Sequence, residues 1–219
     1  MTFSMNSELA ARYNEPHRKY HNIKHIAYMF KTFKEHFDPR AAEEILLYED
    51  GEYGPNTITG VGQYAGAIAV AIKYHDVVYE PEKGDQYNVS ESVKLMWEEY
   101  PPTRKYLFHP EKVAKAIMNT THHTISEQDE QDPIYCAIAG TLFDLDLWHL
   151  SDAEKLQETN KLIQQEYNAT DEQWAIGRSQ WLRKFLERDT IYNTSIGAER
   201  ETIARRLLED DLKELESRL

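Results

Sequence analysis

Cysteine is almost absent from this 219-residue chain. Cys136 stands alone, so no internal disulfide can form and no thiolate cluster can hold zinc. Long apolar runs are missing too. No stretch approaches the ~18 apolar residues needed to span a bilayer. The start MTFSMNSELAARYNEPHR has no basic segment followed by an apolar one, so the expectation is a soluble, cytoplasmic protein with no membrane partner. Glycine and proline are sparse, at 9 and 8 residues, and no alternating run argues for a sheet. There is no phosphate loop of the G-x-x-x-x-G-K type and no internal repeat. Positive charge is scarce: 25 Lys and Arg against 38 Asp and Glu leave a formal charge of -13, which repels a phosphate backbone and excludes duplex nucleic acid as an expected partner. A small anionic substrate remains compatible, because a bound cation and a few local basic groups outweigh a distant acidic surface.

What is present reads as helix. With 41% hydrophobic and 29% charged residues the chain can build one sizeable core without staples, and a single all-α domain over residues 1–219 is expected, with a core at about 13–150 and a C-terminal extension at about 151–219. In residues 7–36, Tyr20, Ile23, Ile26, Ala27, Phe30 and Phe33 follow helical spacing, with Pro16 suited to the helix start. On such a helix His21 and His25 share a face and His17 and Arg18 lie near its mouth. Residues 38–48 read as a short helix and 49–62 as a Gly-rich surface loop that could cover a site. An apolar helix over about 63–78 then delivers His75 and Asp76 near its C-terminal end.

Helices are further expected at 88–100, stopped by Pro101 and Pro102, and at 110–121, where the stripe Val113, Ala116, Ile117, Thr120 favours His123 over His122 as the inward residue. The segment 133–149 is apolar on nearly all sides yet carries Asp144 and Asp146, and buried carboxylates need compensation. Segments 152–167, 171–189 and 197–219 are amphipathic and charge-laced, and read as two or three outer helices facing solvent or a second copy of the chain in a homo-oligomer.

A lone histidine is usually a hydrogen-bonded structural residue, which is the reading for His36, His109 and His149. The ordered set His21/His25, His75-Asp76, His122/His123 and Asp144/Asp146 is different, since each member sits on a separate expected helix and its periodicity turns it inward. Imidazoles and carboxylates converging from facing helices assemble five- or six-coordinate sites for Mn, Fe, Co, Ni, Zn or Mg, one ion or two. A bound divalent ion acidifies water and polarises a phosphoryl oxygen, as phosphate-ester hydrolysis needs.

The order H...HD...D resembles the HD-domain metal-dependent phosphohydrolase superfamily. YNEPHRKYHNIKHI, KYHDVVYEP, IMNTTHH, FDLDLWHL, EYNATDEQWAIGRSQWLRKFLERDTIYNT and ETIARRLLEDDL further resemble a branch of uncharacterised members, over most of residues 13–212. Residues 85–92, DQYNVSES, depart from that branch, keeping only Asn88 and Ser92 of its usual run, and the 49–62 loop looks long for it. The resemblance implies an HD-like helical bundle with His25, His75 and Asp76 as metal ligands, closed by Asp144 or Asp146; wheel position mildly favours Asp144, and the superfamily's local pattern fits Asp146 as well. YHNIKH also resembles cyclic-nucleotide phosphodiesterases, which implies His21 as general acid beside His25. His122 and His123 become substrate or second-metal contacts, Arg18 and Lys24 phosphate clamps, and Glu80 a group that orients water. The implied activity is hydrolysis of a nucleotide or related small phosphomonoester. The alternatives are a cyclic or short oligonucleotide phosphodiesterase, a non-catalytic metal-stabilised module that binds a nucleotide, and an acidic helical scaffold.

Overall fold

The computed structural model describes residues 7–37 and 60–219. The helix expected over 38–48, and residues 49–59 of the Gly-rich loop, lie outside them. All regular structure among the described residues is helical and no strand occurs. The α-helices are α1 (Ser7–Tyr13), α2 (Ile23–Thr32), α3 (Gly60–Tyr74), α4 (Asp85–Glu99), α5 (Pro110–Met118), α6 (Pro133–Asp146), α7 (Ala153–Glu166), α8 (Asp171–Leu186), α9 (Ser195–Ala198) and α10 (Glu201–Glu216).

α3 and α6 form the centre, for a reason visible in their composition. Both are apolar on nearly every side, and the small residues of AGAIAVAI let neighbouring helices approach. α3 touches α2, α4, α5 and α6. Ile68, Ala71 and Ile72 are fully buried there with Ile26, Met29, Phe33, Ile117, Leu142 and Phe143 from its neighbours. Burying each such large side chain contributes about 2 kcal/mol, and truncating Ile72 to Ala would cost about 3 kcal/mol. Local signals fix the helix starts: Asp132 accepts from the Tyr135 amide ahead of Pro133, and Thr170 and Gln173 form a reciprocal capping box on α8.

A second cluster gathers Leu147, Leu150 and Leu156 with Leu182, Phe185, Ile191, Tyr192, Ala204, Leu208 and Leu215. α8 and α10 pack on each other, and both α7 and α10 touch the 3-10 turn Trp148–Ser151. That turn directly follows α6, so the C-terminal helices lean on the end of the central helix.

One expected helix is interrupted. Residues 7–36 fold as α1, a turn through 14–22, α2, and a π-helical segment Phe33–Phe37. The break is stable because its backbone finds partners other than helical ones. Glu166 on α7 accepts the amides of Lys19, Tyr20 and His21, and the Asn22 side chain accepts from Lys24 to start α2. His21 therefore precedes the helix that carries His25, and Pro16 belongs to the turn. α3 also stops at Tyr74, which leaves His75 and Asp76 on the turn after it.

Candidate metal centre

Four elements end at one place. His75 and Asp76 follow the C-terminus of α3, His123 follows the turn after α5, Asp146 is the last residue of α6, and His25 lies in the first turn of α2. The C-terminal ends of α3 and α6, which carry negative partial charge, thus meet the N-terminal end of α2 here. His123 reaches the site through a left-handed backbone, with φ of 51°, rather than by continuing the stripe of α5.

His25, His75 and Asp76 each offer a ligand atom, all within 4.8 Å of one another, a group that could hold a metal ion. Asp146 borders the same point: its Oδ1 is 3.0 Å from His25 Nε2 and 3.9 Å from His75 Nε2. Asp76 Oδ2 is 3.0 Å from His75 Nε2 and 4.0 Å from His25 Nε2. Despite these approaches, neither Nε2 makes a hydrogen bond, although both are buried. Buried polar atoms without partners are costly, and here both Nε2 atoms face a shared space beside two carboxylates. The His75 Nδ1 is 3.0 Å from the Ile72 carbonyl, so Nδ1 carries the proton and Nε2 is the ligand atom. The residues therefore fit a divalent ion.

Electrostatics agree with the geometry. Burial opposes charge on His75, but the Asp76 carboxylate outweighs it and, with Asp146, lifts the imidazole to about 9. Burial likewise opposes charge on Asp76 and Asp146; His75 holds the first well below the usual carboxylate range, and His123 and His25 do so for the second. Without an ion these groups neutralise one another as ion pairs. An ion would replace the His75 proton.

His21 stands beside this cluster. Its Nδ1 lies 2.6 Å from Glu166 Oε2, its ring stacks on Tyr79 at 4.2 Å, and Tyr20 meets its edge at 4.9 Å. Burial disfavours the charged ring, yet the hydrogen bond to Glu166 and the Asp76 charge raise its pKa above the ordinary value. Nε2, the remaining nitrogen, is unbonded among the described residues. A cavity of about 580 Å³ joins these groups, lined by His21, Asp76, His123 and Asp146 on one side and by Trp174, Arg178, Trp181, Phe185 and Arg188 of α8 on the other.

Several expected site residues are employed elsewhere. Asp144 is fully buried, and its carboxylate accepts the Asn193 amide at 2.6 Å and the Thr194 amide and hydroxyl at 2.9 and 2.6 Å. It is a clamp on the 193–194 turn and does not reach the cluster; one helical turn holds 3.6 residues, so Asp144 and Asp146 point to different sides of α6. Arg18 is not free to clamp a phosphate. Its side chain is 1% exposed, and its guanidinium donates to Glu15, to the carbonyls of His21 and Asp76 at 3.0 and 2.7 Å, and to the Val77 carbonyl at 2.9 Å. It staples the loop of His21 to the turn of Asp76. Lys24 is exposed on α2 and lines no part of the cavity. Glu80 pairs with Lys83 at 2.7 Å and borders a separate depression with Arg12, His17 and Glu82. His122 is exposed and meets Thr121, while its carbonyl accepts from Arg188.

His149 is a buried structural residue, 3.0 Å from the Asp146 carbonyl and 3.3 Å from the Tyr20 hydroxyl, with burial pushing its pKa down to about 3. His36 lies against Trp148, and His109 starts α5 beside Glu111. Glu166 and the α8 wall are the groups that sequence reasoning passed over. Both lie within EYNATDEQWAIGRSQWLRKFLERDTIYNT, where helical charge patterning made them look like a solvated outer face. Comparison of the chain with family models, with curated proteins and with solved structures returned no match.

Proposed function

We propose that the protein is a metal-dependent phosphohydrolase acting on a nucleotide or related small phosphomonoester, as the HD-type resemblance implies. The observation that carries this reading is the pair of buried, unbonded Nε2 atoms of His25 and His75 facing Asp76 and Asp146 at the wall of a cavity that also holds His21. A divalent ion bound there would act as a Lewis acid toward a phosphoryl oxygen and toward water. His25, His75, Asp76 and Asp146 would hold it.

The chain's own residues supply the rest. Glu166 accepts from His21 Nδ1 and so fixes the ring and favours its charged form, in which Nε2 carries a proton for the departing alkoxide. Tyr79 and Tyr20 hold the ring between them. Arg18 fixes both backbones that carry the acid and the carboxylate, through the carbonyls of His21 and Asp76. Trp174, Trp181 and Phe185 of α8 place aromatic surface on the opposite wall of the cavity.

The test is elemental analysis of purified protein beside a His75→Ala, Asp76→Ala double variant, followed by phosphate release from nucleoside monophosphates, cyclic nucleotides and dinucleotides with Mn or Co. The expected result is near-stoichiometric metal in the wild type alone and turnover of a monophosphate. Turnover confined to cyclic or dinucleotide substrates would replace this reading with a phosphodiesterase. Tight binding without turnover would replace it with a non-catalytic module, and no metal in either protein would end the enzyme reading.

A further inference from the structure

α8 carries a four-layer stack along the cavity. The Arg178 guanidinium lies 4.3 Å from the Trp181 ring centre, Trp181 stacks on Phe185 at 4.4 Å and 17°, and the Arg188 guanidinium lies 4.2 Å from the Phe185 ring centre. Two groups this close to one ring centre must occupy its opposite faces. The rings are therefore sandwiched in sequence, and the stack's effect is to fix a cation at each end.

The two ends differ. Arg178 is neutralised by Asp211, 3.5 Å from its Nε. Arg188 has no carboxylate within ion-pair distance among the described residues, and burial alone shifts its pKa, downward. Its Nη2 donates to the His122 carbonyl, while its Nη1 is shielded from water and has no hydrogen-bond partner. A guanidinium donor left unmade inside a protein is unfavourable unless something completes it. In a chain of net charge -13, an unpaired cation on a cavity wall is not explained by a shortage of carboxylates. The His122 bond ties the guanidinium to the residue beside His123, whose Nε2 is 2.8 Å from Asp146 Oδ2, and Arg188, His123 and Asp146 line the same cavity.

We propose that Arg188 is the anion-binding residue of this cavity and receives a phosphoryl oxygen of the substrate. The inference rests on the phosphohydrolase reading for the identity of the anion. The planar fork of Arg suits two phosphoryl oxygens, and its stacking on Phe185 and its bond to His122 fix its orientation before the ligand arrives. Arg188 is in this way a specificity residue for phosphorylated ligands, distinct from the groups that hold the ion.

The experiment is calorimetric titration of inorganic phosphate into the Mn-incubated full chain, with steady-state kinetics on AMP alongside. Arg188→Gln is expected to weaken phosphate at least tenfold and to raise KM for AMP by a similar factor with kcat nearly unchanged. Arg188→Lys, which keeps the charge and loses the fork, is expected to fall between, at least threefold weaker than wild type. Arg183→Gln removes the same charge from the exposed side of α8, where Arg183 pairs with Glu216, and should bind phosphate within twofold of wild type. Circular dichroism checks folding of each variant, and if Arg188→Gln does not fold the Lys variant decides. Phosphate affinity within twofold of wild type in the folded Arg188 variant, or no phosphate binding by wild type, overturns the inference. Wild type that binds phosphate through Arg188 but releases none from any nucleotide overturns the hydrolase reading and leaves Arg188 as a binding residue. Turnover that survives Arg188→Gln with unchanged KM does the reverse.

Discussion

The two hydrophobic clusters border one cavity and treat charge in opposite ways. On the side of α2, α3 and α6, His25, His75, Asp76, Asp146 and His123 stand so close that each is compensated by the others. On the side of α7 and α8, the charges that serve the site are held one at a time: Glu166 pairs with a single histidine, and Arg188, bonded to the His122 carbonyl, has no carboxylate within ion-pair distance among the described residues. A cluster of mutually compensating groups is built to exchange one compensation for another, a proton for a metal ion. An isolated charge is built to hold one geometry or to meet one ligand. Substitutions on the two sides should therefore fail differently.

The largest effect is expected on the first side. Removing an imidazole from a site that relies on three or four ligands should abolish stoichiometric metal. His25→Ala and His75→Ala should each weaken Mn at least 100-fold, with activity lost in proportion, as metal analysis and titration would register. Retained metal in both variants would mean that the ion sits elsewhere.

Glu166→Gln tests the second side. The amide oxygen can still accept the amides of residues 19–21, but the charge that favours protonated His21 is gone. Metal content should stay within twofold of wild type while kcat falls about 100-fold. The pH profile carries the sign. Activity that needs protonated His21 falls as pH rises through its raised pKa, so in Glu166→Gln that basic limb should move to lower pH. A variant that loses metal as well would erase the division between the two sides.

A third substitution probes the seam between clusters. A Cβ on Gly197 would run into the Asp144 carboxylate and would come 2.7 Å from Tyr192 Cβ, so the glycine is there for close approach. Gly197→Ala should destabilise by about 3 kcal/mol through the displaced Asp144 clamp. Metal binding at Asp146 should survive in the folded fraction. Unchanged unfolding free energy would show that the turn moves aside freely.

These contrasts also explain how much could be read without coordinates. The all-helical class followed from periodicity and from the absence of alternating runs, and the ordering of His25, His75-Asp76 and the Asp144/Asp146 pair was visible along the chain. Three particulars were not. The choice between Asp144 and Asp146 turned on the 193–194 turn, a partner about fifty residues away that no local pattern signals. Arg18 looked like a phosphate ligand because its residue type suits one, whereas its donors are consumed by carbonyls of the turn it staples. Glu166 and Arg188 looked like surface charges because helical spacing reports which face is polar, whereas Glu166 is buried against the 19–21 turn and Arg188 lines the cavity.

The smallest effect expected concerns protons in the metal-free protein. His75 is raised to about 9 in the fold, above an ordinary value near 6.5 when unfolded, so the charged form stabilises the native state. That contribution is complete below about 6.5 and is lost as pH rises through about 9. The metal-stripped protein should therefore lose roughly 5 °C of melting temperature across this window, and the loaded protein should not, because the ion takes the place of the proton. His21, raised in the same direction by Glu166 and Asp76, adds to the slope. Repeating the scan on Glu166→Gln separates the two sides: the part that remains belongs to the metal-facing cluster, and the part that disappears belongs to α7. A flat profile in metal-stripped wild type would show that Asp76 and Asp146 do not hold His75 charged.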